Sequence, residues 1–448
     1  MNFQDVISTF YNSSGVAFYT GGYVRDHIMG IQSKDIDLEV YFIDIPEFRT
    51  ICQNMNGKLA GNDFPVYVIK TEDRGKIEVS LPRKERSTGP GYKDFDIVCD
   101  PYAAFSDSCA RRDFTMNAML MDVQSNGILD FYNGERDIRN KILNPVAKFS
   151  DDPMRIFRAL RFGLRFNMQF SPLLKEEILK ISRWYTFNSM TKERIGLELI
   201  KIAQQYKSVD WLHTANLFSI LNKSYSMDHY SPLYDILPHV SFLETMPHVP
   251  NKYHVESTWD HTFMVLDSYM KNSRDDESVQ RFITALYHDV GKSATIEWNE
   301  EKGRYTFYNH ETLSANMLNI FLEYGIPKKD VELSRKIVKN HMRVHNRLSK
   351  KSLYNLWKEM GNDIFELLKF GYYDESNRIT RTNEEVKNHL GFMWYVIDDW
   401  NKAVKTTGDD LIAQGETPNK KFGEKLDTIN RREFYRVYEE RKKLYDNY

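Results

Sequence analysis

The spacing of hydrophobic and polar positions changes part-way along the chain. Residues 1–145 contain short β-like runs, VAFYTGG, DIDLEVYFI and FPVYVIKT, separated by glycine turns. From about 150 to 245, apolar residues recur at i, i+3 and i+4, as in MRIFRALRFGLRF and ERIGLELIKIAQQY, which predicts helices. The stretch DHYSPLYDILPHVSFLETMPHVPNKYH, rich in proline and histidine, predicts a connector, and more helices follow it. The pattern therefore predicts an α+β protein: a small N-terminal head with a mixed sheet and helices, then a long all-α body.

The length allows several domains. At 448 residues the chain is long enough to bury two or more cores. We expect a head over residues 1–145, a helical neck and body over 146–245, a second helical domain over 246–385 and a helical C-terminal tail over 386–448.

Composition narrows the possible partners and compartments. The formal net charge is −2, so an RNA site would have to be a local basic patch. Cys52, Cys99 and Cys109 form no CxxC pair, which is typical of a reducing compartment. The N-terminus has no basic segment followed by an apolar core, and no window approaches eighteen apolar residues. We expect a cytoplasmic protein with no membrane partner; its oligomeric state, monomer or homodimer, stays open.

Two aspartates near the start of the chain predict a metal site. In KDIDLEV, Asp35 and Asp37 are two residues apart, so on a strand both side chains leave the same face. Carboxylates this close repel each other unless a cation neutralises them, and Mg²⁺ bound by carboxylates and substrate phosphates fits. Glu78, in the later run GKIEVSLP, offers a third carboxylate. The pattern predicts a two-metal site, in which one ion activates a hydroxyl nucleophile and the other stabilises a leaving pyrophosphate.

The residues just before these aspartates suit a triphosphate. Gly21 and Gly22 permit a close approach of the backbone, and Arg25 adds a planar fork of donors for phosphate. For an isolated DxD pair, two solvated residues at a strand end would be the better interpretation. The glycine turn and the Arg-Asp pair ahead of it favour the metal site.

GGYVRD followed by DID resembles the head of the class II tRNA nucleotidyltransferases (CCA-adding enzymes) and of bacterial poly(A) polymerases. The resemblance continues through RRDFTMNAM at 111–119, LDFYNGERDIRNKIL at 129–143 and DDPMRIFRALRF at 151–162. It implies catalysis by Asp35, Asp37 and Glu78 with Mg²⁺, and tRNA, CTP and ATP as partners. The nucleotide-binding residues that it implies are Gly21, Gly22, Arg25, Arg111, Arg112, Asp113, Asn117, Asp152, Arg155 and Arg158. For RRD in isolation, a surface salt-bridge cluster would be the better interpretation.

The block DDPMR offers a pair that can recognise a base. On a helix, Asp152 and Arg155 at i and i+3 would face the same way and present an acceptor beside a fork of donors. Such an edge is complementary to cytosine and adenine, which matches the protein template of the family. The alternative is that Pro153 is the first helical residue and Asp152 caps the helix. The family usually has Glu where this chain has Asp151, and the role of that acid stays open.

The segment LPRKERSTGPGY resembles the loop of bacterial CCA-adding enzymes that carry an extra hydrolase domain. Arg83, Lys84, Arg86, Gly89 and Gly91 make it basic and bendable, which suits closure on nucleotide and RNA. The resemblance favours complete CCA addition over addition of CC alone.

The second half carries a different set of residues. His261, His288, Asp289 and Asp374 follow the H…HD…D order of the HD phosphohydrolase superfamily, which they resemble. Imidazoles with carboxylates suit a first-row divalent metal that activates water for phosphoester cleavage. A transition metal of the Ni, Mn or Co type is the expected cofactor. Accessory residues for ligation or phosphate contact are Lys292, His310 and His341.

Together these features predict a tRNA nucleotidyltransferase that adds CCA from CTP and ATP without a nucleic-acid template. The resemblance further implies 2′,3′-cyclic phosphodiesterase, 2′-nucleotidase and phosphatase activity in the HD-type domain. One alternative is a poly(A) polymerase, whose head has nearly the same motifs. Another is an RNA-end phosphohydrolase whose head only binds RNA.

Overall fold

The computed structural model describes most of the chain in two compact units. The first unit comprises Met1–Thr191 and Leu217–Ile236, and the second comprises Lys192–Asn216 and Leu237–Tyr448. The described residues are 1–33, 35–60, 65–87, 95–150, 152–184, 191–207, 210–223, 231–250, 255–271, 273–378, 382–419 and 421–445.

The strands predicted in the head are present, and the described residues of both units contain further strands. The strands are β1 (Val16–Thr20), β2 (Ile36–Tyr41), β3 (Lys58–Ala60), β4 (Val66–Thr71), β5 (Gly75–Ser80), β6 (Arg83–Ser87), β7 (Phe95–Cys99), β8 (Met119–Asp122), β9 (Ile128–Asp130), β10 (Ile142–Leu143), β11 (Gln169–Phe170), β12 (Glu297–Asn299) and β13 (Arg304–Thr306).

Helices fill the rest of the first unit and dominate the second. In the first half of the chain they are α1 (Phe3–Asn12), α2 (Gly22–Ile28), α3 (Ile45–Asn54), α4 (Phe105–Ala110), α5 (Gly134–Arg139), α6 (Arg155–Phe166), α7 (Pro172–Trp184), α8 (Lys192–Gln205), α9 (Trp211–Asn222) and α10 (Pro232–Ile236). In the second half they are α11 (Pro238–Ser241), α12 (Thr258–Met270), α13 (Asp275–Tyr287), α14 (Lys292–Thr295), α15 (His310–Met317), α16 (Ile320–Glu323), α17 (Lys328–Asn340), α18 (Lys350–Met360), α19 (Ile364–Ser376), α20 (Asn383–Lys402), α21 (Gly408–Ala413) and α22 (Phe422–Tyr445). Short 3₁₀ helices cover Thr115–Asn117, Phe242–Thr245, His341–Val344 and Gly361–Asp363.

A mixed sheet organises the first unit. Seven strands of the described residues lie in the order β3-β4-β5-β2-β1-β8-β9, with β2 and β5 parallel and the other neighbours antiparallel. Helix α1 covers the sheet with an apolar face that includes Val6 and Phe10, and its start is fixed by a capping box between Asn2 and Asp5. The predicted fold class, a mixed-sheet head followed by a helical body, is confirmed.

Two local expectations differ from the structure. The stretch predicted as a connector includes α10, α11 and the 3₁₀ turn after them, because its apolar residues, such as Leu237 and Val240, are buried. The basic loop predicted after β5 begins as a strand: β6 pairs with β7 as an antiparallel hairpin. Gly89 and Gly91 lie outside the described residues.

Large aromatic side chains form the core of the second unit. Tyr269, Tyr287, Phe282 and Trp400 are all less than 2% exposed. The short hairpin β12–β13 is appended to these helices. Within the described ranges, no helix combines the length and apolar character that crossing a bilayer requires.

Candidate functional site

The three predicted catalytic carboxylates lie together near the start of β2. In the parallel pairing of β2 and β5, Asp37 lies directly opposite Glu78, so the two side chains share a face of the sheet. Asp35 precedes the first residue of β2 by one position. Burial, Glu78 and Asp35 raise the pKa of Asp37 above its usual 3.8, and Arg112 only partly opposes this rise. We call these three residues the acidic cluster. A bound cation would relieve the repulsion between their carboxylates.

Gly21 brings the backbone close to this cluster. Its φ of 64° and ψ of −125° belong to a region that essentially only glycine adopts. A Cβ built at Gly21 would lie 3.4 Å from Nη1 of Arg112 and 3.9 Å from Oδ2 of Asp37. The turn between β1 and α2 therefore leaves room beside a carboxylate and a guanidinium group.

Glu39, which is not among the predicted site residues, holds the two arginines of RRD. Its side chain is fully buried and accepts hydrogen bonds from Nη2 of Arg111 at 2.9 Å, from the Tyr41 hydroxyl at 2.6 Å and from the Ser108 hydroxyl. Nη2 of Arg112 lies 3.5 Å from Glu39 and also donates to the Thr20 hydroxyl.

These contacts keep Glu39 ionised. Burial alone would raise the pKa of Glu39, but Arg111 and Arg112, with the two hydroxyl donors, lower it below 4.5. The available signal was the alternation of acids at 35, 37 and 39, which places all three side chains on one face of a strand. The two arginines of RRD are thus bound to β2, the strand that also carries Asp37.

A chain of polar contacts connects Arg25 to Arg158. Arg25 is buried; its guanidinium group pairs with Asp26 at 2.6 Å and donates to Oδ1 of Asn117 at 2.9 Å. Asn117 in turn donates to Asp113, which also accepts from Nε of Arg158 at 2.6 Å. Burial would raise the pKa of Asp113, but Arg158 and Asn117 lower it.

Two of the predicted nucleotide-binding residues, Arg25 and Arg158, already contact other side chains in this chain of contacts. Arg25 also lies 4.8 Å from the ring centroid of Phe166, a cation–π distance. Its contacts favour a scaffolding role between α2 and α6, and its assignment to phosphate stays a prediction. Arg158 contacts Asp113 through both Nε and Nη2, and its side chain is 36% exposed.

Asp152 and Arg155 occupy positions that differ from the predicted ones. Helix α6 begins at Arg155, so Pro153 is not its first residue and Asp152 is not on the helix. Oδ1 of Asp152 accepts from the backbone N–H of Met154 at 3.2 Å, a local turn bond. Nη2 of Arg155 donates to the carbonyl of Arg111 at 3.4 Å, and its Nη1 donates to that of Lys148. Asp151 lies outside the described residues.

The second unit brings the predicted HD residues into one buried cluster. Nε2 of His261 lies 2.9 Å from Oδ1 of Asp374, and Nε2 of His288 lies 3.3 Å from Oδ2 of Asp289. The rings of His261 and His288 are 5.5 Å apart between centroids. The same cluster contains the accessory residues: Asp289 lies 2.6 Å from Nζ of Lys292, 3.2 Å from Nε2 of His310 and 3.8 Å from Nε2 of His341.

His345 is a further member of this histidine cluster, which comprises His261, His288, Asp289, His310, His341, His345 and Asp374. Its Nε2 lies 2.9 Å from Oδ2 of Asp374, so that carboxylate is held from both sides. Burial, followed by the positive charge of Arg378, lowers the pKa of His345 to about 3 and keeps the ring neutral. The available signal was the i, i+4 spacing of His341 and His345, whose rings lie 5.8 Å apart.

Charges inside the histidine cluster set its protonation. Burial would raise the pKa of Asp289, but Lys292 and His288 lower it well below 3.8. Burial lowers the pKa of His261 and His341, whereas for His288 the attraction of Asp289 outweighs burial and raises the pKa. A cavity of about 30 Å³, the space of one water molecule, is lined by residues that include His261, Lys292 and Glu256.

The geometry of the first unit agrees with a family match. Residues 17–144 match the Poly A polymerase head domain. A multifunctional CCA protein of Vibrio parahaemolyticus is 30% identical over 335 residues, which cover 73% of this chain and 75% of the relative. The chain belongs to the multifunctional CCA protein family. The relative from Hahella chejuensis is also 30% identical, over 341 residues that cover 74% of this chain and 73% of that protein.

Solved structures of CCA-adding enzymes share the fold. A CCA-adding enzyme in complex with ATP aligns over 96% of this chain and 89% of its own, with a TM-score of 0.62 and 18% identity. The Thermotoga maritima CCA-adding enzyme complexed with tRNA aligns over 98% and 93%, with a TM-score of 0.57 and 19% identity. The predicted resemblance to CCA-adding enzymes is confirmed at the level of family and fold.

Proposed function

We propose that this protein is a tRNA nucleotidyltransferase that adds C, C and A to tRNA 3′ ends from CTP and ATP. The observation that carries the proposal is the register that sets Asp37 opposite Glu78, beside Gly21 and Arg112, in a multifunctional CCA family chain. Similar folds have been solved as CCA-adding enzymes with CTP, with ATP and with tRNA, which supports the same three partners here.

The residues of the acidic cluster fit Mg²⁺. Asp35 and Asp37 would hold it with oxygen ligands, which Mg²⁺ prefers, and Glu78 would assist. When bound, it would supply a Lewis acid for the 3′-hydroxyl of tRNA and for the charge on the leaving pyrophosphate. Arg111 and Arg112, held by Glu39, offer charge to the phosphates, and Gly21 leaves space for the triphosphate. In the proposed reaction the tRNA 3′-hydroxyl attacks the α-phosphate, and pyrophosphate leaves.

One incorporation assay separates the proposed function from its alternatives. A tRNA transcript that lacks its 3′ CCA is incubated with CTP alone, ATP alone and both. We expect two C residues with CTP alone and a completed CCA with both nucleotides. Long A tails with ATP alone would instead identify a poly(A) polymerase, which the head-domain match also allows. Loss of a 2′-phosphate without any incorporation would identify an RNA-end phosphohydrolase.

Nucleotide selection provides a second prediction. We propose that Asp152 and Arg155 read the incoming base, and expect Asp152→Ala and Arg155→Ala to lower discrimination for CTP and ATP over UTP and GTP by roughly 10–100-fold. Each bidentate base contact contributes discrimination of that order. The measurement is the ratio of kcat/KM values for the four nucleotides.

A matched control makes this test specific. Lys148→Ala removes an exposed side chain whose backbone carbonyl already accepts from Arg155, so it should leave selectivity unchanged. Unchanged selectivity in Asp152→Ala would contradict base recognition and leave only the turn bond to Met154.

We further propose that the histidine cluster is a metal-dependent phosphohydrolase site for 2′,3′-cyclic phosphates and 2′-phosphates. The residues fit a transition metal of the Ni, Mn or Co type because imidazoles and carboxylates meet in one buried place. His261, His288, Asp289 and Asp374 would hold the ion, which would supply an activated water. Asp374 orients His261 through the 2.9 Å contact, and Lys292 places a positive charge where phosphate would bind.

The phosphohydrolase proposal predicts separable activities. We expect His261→Ala to lower hydrolysis of a 2′,3′-cyclic phosphate by roughly 10²-fold or more, because it removes a ligand and frees Asp374. CCA addition by the same preparation should persist. His27→Ala, which removes an exposed imidazole of the first unit, serves as the control. Equal hydrolysis by the wild type, His261→Ala and His27→Ala would contradict the phosphohydrolase proposal. It would leave the proposed CCA addition unaffected.

A further inference from the structure

A short hairpin lies beside the histidine cluster. In the antiparallel register of β12 and β13, Trp298 lies directly opposite Tyr305, so both rings leave the same face, and their centroids are 5.1 Å apart. Tyr305 and Phe307, two positions further along, both line the cavity that His261 and Lys292 also line. The hairpin therefore turns an aromatic face toward the candidate phosphohydrolase site.

The aromatic rings form a series that leads from a buried amine to the solvent. Nζ of Lys292, a residue that is 6% exposed, lies 5.6 Å from the ring centroid of Phe307. At the other end of the series, Trp298 is 45% exposed although it packs against Tyr305. The order from inside to outside is thus a cation and then aromatic rings. A nucleotide has a matching order, with a phosphate at one end and a planar base at the other.

Stabilisation of the hairpin is the simpler role for the pair of Trp298 and Tyr305. Cross-strand aromatic pairs stabilise antiparallel strands, and an isolated two-stranded hairpin is only marginally stable. That role accounts for the contact between the two rings. It does not account for Tyr305 lining the cavity, or for an indole that stays nearly half exposed. Exposed aromatic faces are the surfaces on which nucleic-acid bases stack, so recognition of a base explains both observations.

The formal charge of the hairpin argues against recognition of a long RNA backbone. Residues 297–304 contain three acids and two bases, which gives −1: Glu297, Glu300 and Glu301 against Lys302 and Arg304. Surfaces that follow a single-stranded backbone combine aromatic rings with a positively charged groove. The hairpin supplies the rings without an excess of positive charge, so it suits one nucleotide that is held by its base.

We propose that Trp298 and Tyr305 form a base-stacking platform that selects phosphoesters attached to a nucleoside. The nucleoside is either a free nucleotide or the last nucleotide of an RNA chain. Lys292 receives the phosphate, and the two rings receive the base. This inference rests on the proposed phosphohydrolase function and specifies which phosphoesters that site accepts. Because every base has a stacking face, purine and pyrimidine nucleotides should both be accepted.

Two phosphomonoesters of secondary alcohols test the platform. Adenosine 2′-monophosphate carries a base, and glycerol 2-phosphate does not. Trp298→Val keeps an apolar, β-branched residue for the cross-strand contact but removes the aromatic face, whereas Trp298→Phe keeps a ring. We expect Trp298→Val to lower kcat/KM for the adenosine ester by roughly 10-fold, the order of one base stack, and Trp298→Phe to stay close to the wild type. Hydrolysis of glycerol 2-phosphate should not change in either variant.

A matched control and a longer substrate make the test specific. Tyr308→Val removes an aromatic residue of the same segment that is 61% exposed and contacts Lys302, and it should behave as the wild type. A short RNA that ends in a 2′-phosphate should be hydrolysed with about the same kcat/KM as the mononucleotide. A much higher kcat/KM for the RNA, with a steep dependence on salt, would contradict recognition of a single nucleotide.

Binding measured in chelator separates recognition from catalysis. Chelator also withholds Mg²⁺ from the proposed nucleotide site of the first unit. Saturation-transfer NMR on the full chain reports contact with the base protons of adenosine 2′-monophosphate. We expect this signal to fall in Trp298→Val and to persist in Trp298→Phe and Tyr308→Val.

The outcomes separate the platform from the proposed function beneath it. An equal loss of activity toward both esters in Trp298→Val would limit the ring to stabilising the hairpin. Unchanged kcat/KM values in that variant would remove the ring from recognition. Either result would overturn the platform and leave the phosphohydrolase proposal intact. No hydrolysis of either ester by the wild type would overturn the phosphohydrolase function itself, and the NMR signal in chelator would then decide the platform alone.

Discussion

Replacing Asp35 and Asp37 together with asparagine should lower the rate of CTP incorporation into tRNA by roughly 10³-fold or more. Lewis-acid stabilisation of a phosphoryl-transfer transition state contributes several kcal/mol, and each 1.36 kcal/mol is a factor of ten in rate. Asparagine keeps the size of each side chain but removes the negative charges that hold Mg²⁺. The measurement is the initial rate with saturating CTP over a range of Mg²⁺ concentrations.

The same variant should fold at least as stably as the wild type when Mg²⁺ is removed. The folded-state pKa of Asp37 is raised by burial, Glu78 and Asp35, so the carboxylate opposes folding once the pH exceeds its unfolded value of 3.8. At pH 7 in chelator, removing that charge removes the penalty. Adding Mg²⁺ should then raise the melting temperature of the wild type but not that of the variant.

These two measurements distinguish loss of the metal from loss of the fold. Glu47→Gln, an exposed acid on α3, is the control and should match the wild type in rate and in its response to Mg²⁺. Full-rate incorporation by the double variant would remove the acidic cluster from the mechanism. An equal thermal response of all three proteins to Mg²⁺ would show that the ion binds elsewhere.

The acidic cluster shows which parts of a site can be predicted from the sequence. The two-residue spacing of Asp35 and Asp37 predicts a shared face on local grounds, and β2 begins one residue later than that spacing assumes. The position of Glu78 depends on a parallel pairing with a strand some forty residues away, and register of this kind is set by tertiary packing. The run GKIEVSLP offered Glu78 as a third carboxylate, but its place beside Asp37 depends on this register.

Buried polar partners were the part that could not be predicted. In the sequence, Glu39 looks like an acid on a half-exposed strand. It is buried only because α4 and RRD pack over it. Likewise Arg25, predicted for phosphate, is enclosed by Asp26 and Asn117 because α2 packs near the 3₁₀ turn at 115–117. Helix α6 begins two residues later than Pro153 suggests, which takes Asp152 off the helix.

Replacing Glu39 with alanine should destabilise the first unit by about 3 kcal/mol, the lower end of the range for removing one partner of a buried ion pair. Arg111 and Arg112 are partly exposed, at 12% and 23% of their side chains, so water would compensate part of the loss. Glu39→Gln, which retains the side-chain shape and an acceptor oxygen, should cost less. Hydrogen exchange at the amides of β2 measures this locally, independently of the second unit.

Lowering the pH should remove the difference in stability between the wild type and Glu39→Gln. The folded-state pKa of Glu39 lies below 4.5, its unfolded value, because Arg111, Arg112 and the hydroxyl donors outweigh burial. The charge therefore stabilises the fold fully above pH 4.5, and that contribution disappears as the pH falls through the folded-state pKa. Glu47→Gln, the exposed control, should show no such dependence.

Kinetics then tell whether Glu39 only stabilises the sheet or also positions the arginines. If it positions them, Glu39→Gln should raise the KM for CTP and ATP together at a temperature where the protein remains folded, since both nucleotides present the same triphosphate. Arg112→Lys, which keeps a charge but loses the Nη2 group that donates to both Glu39 and Thr20, should show the same change. An unchanged KM in a folded Glu39→Gln protein would limit Glu39 to stability, because the guanidinium groups would then reach phosphate without it.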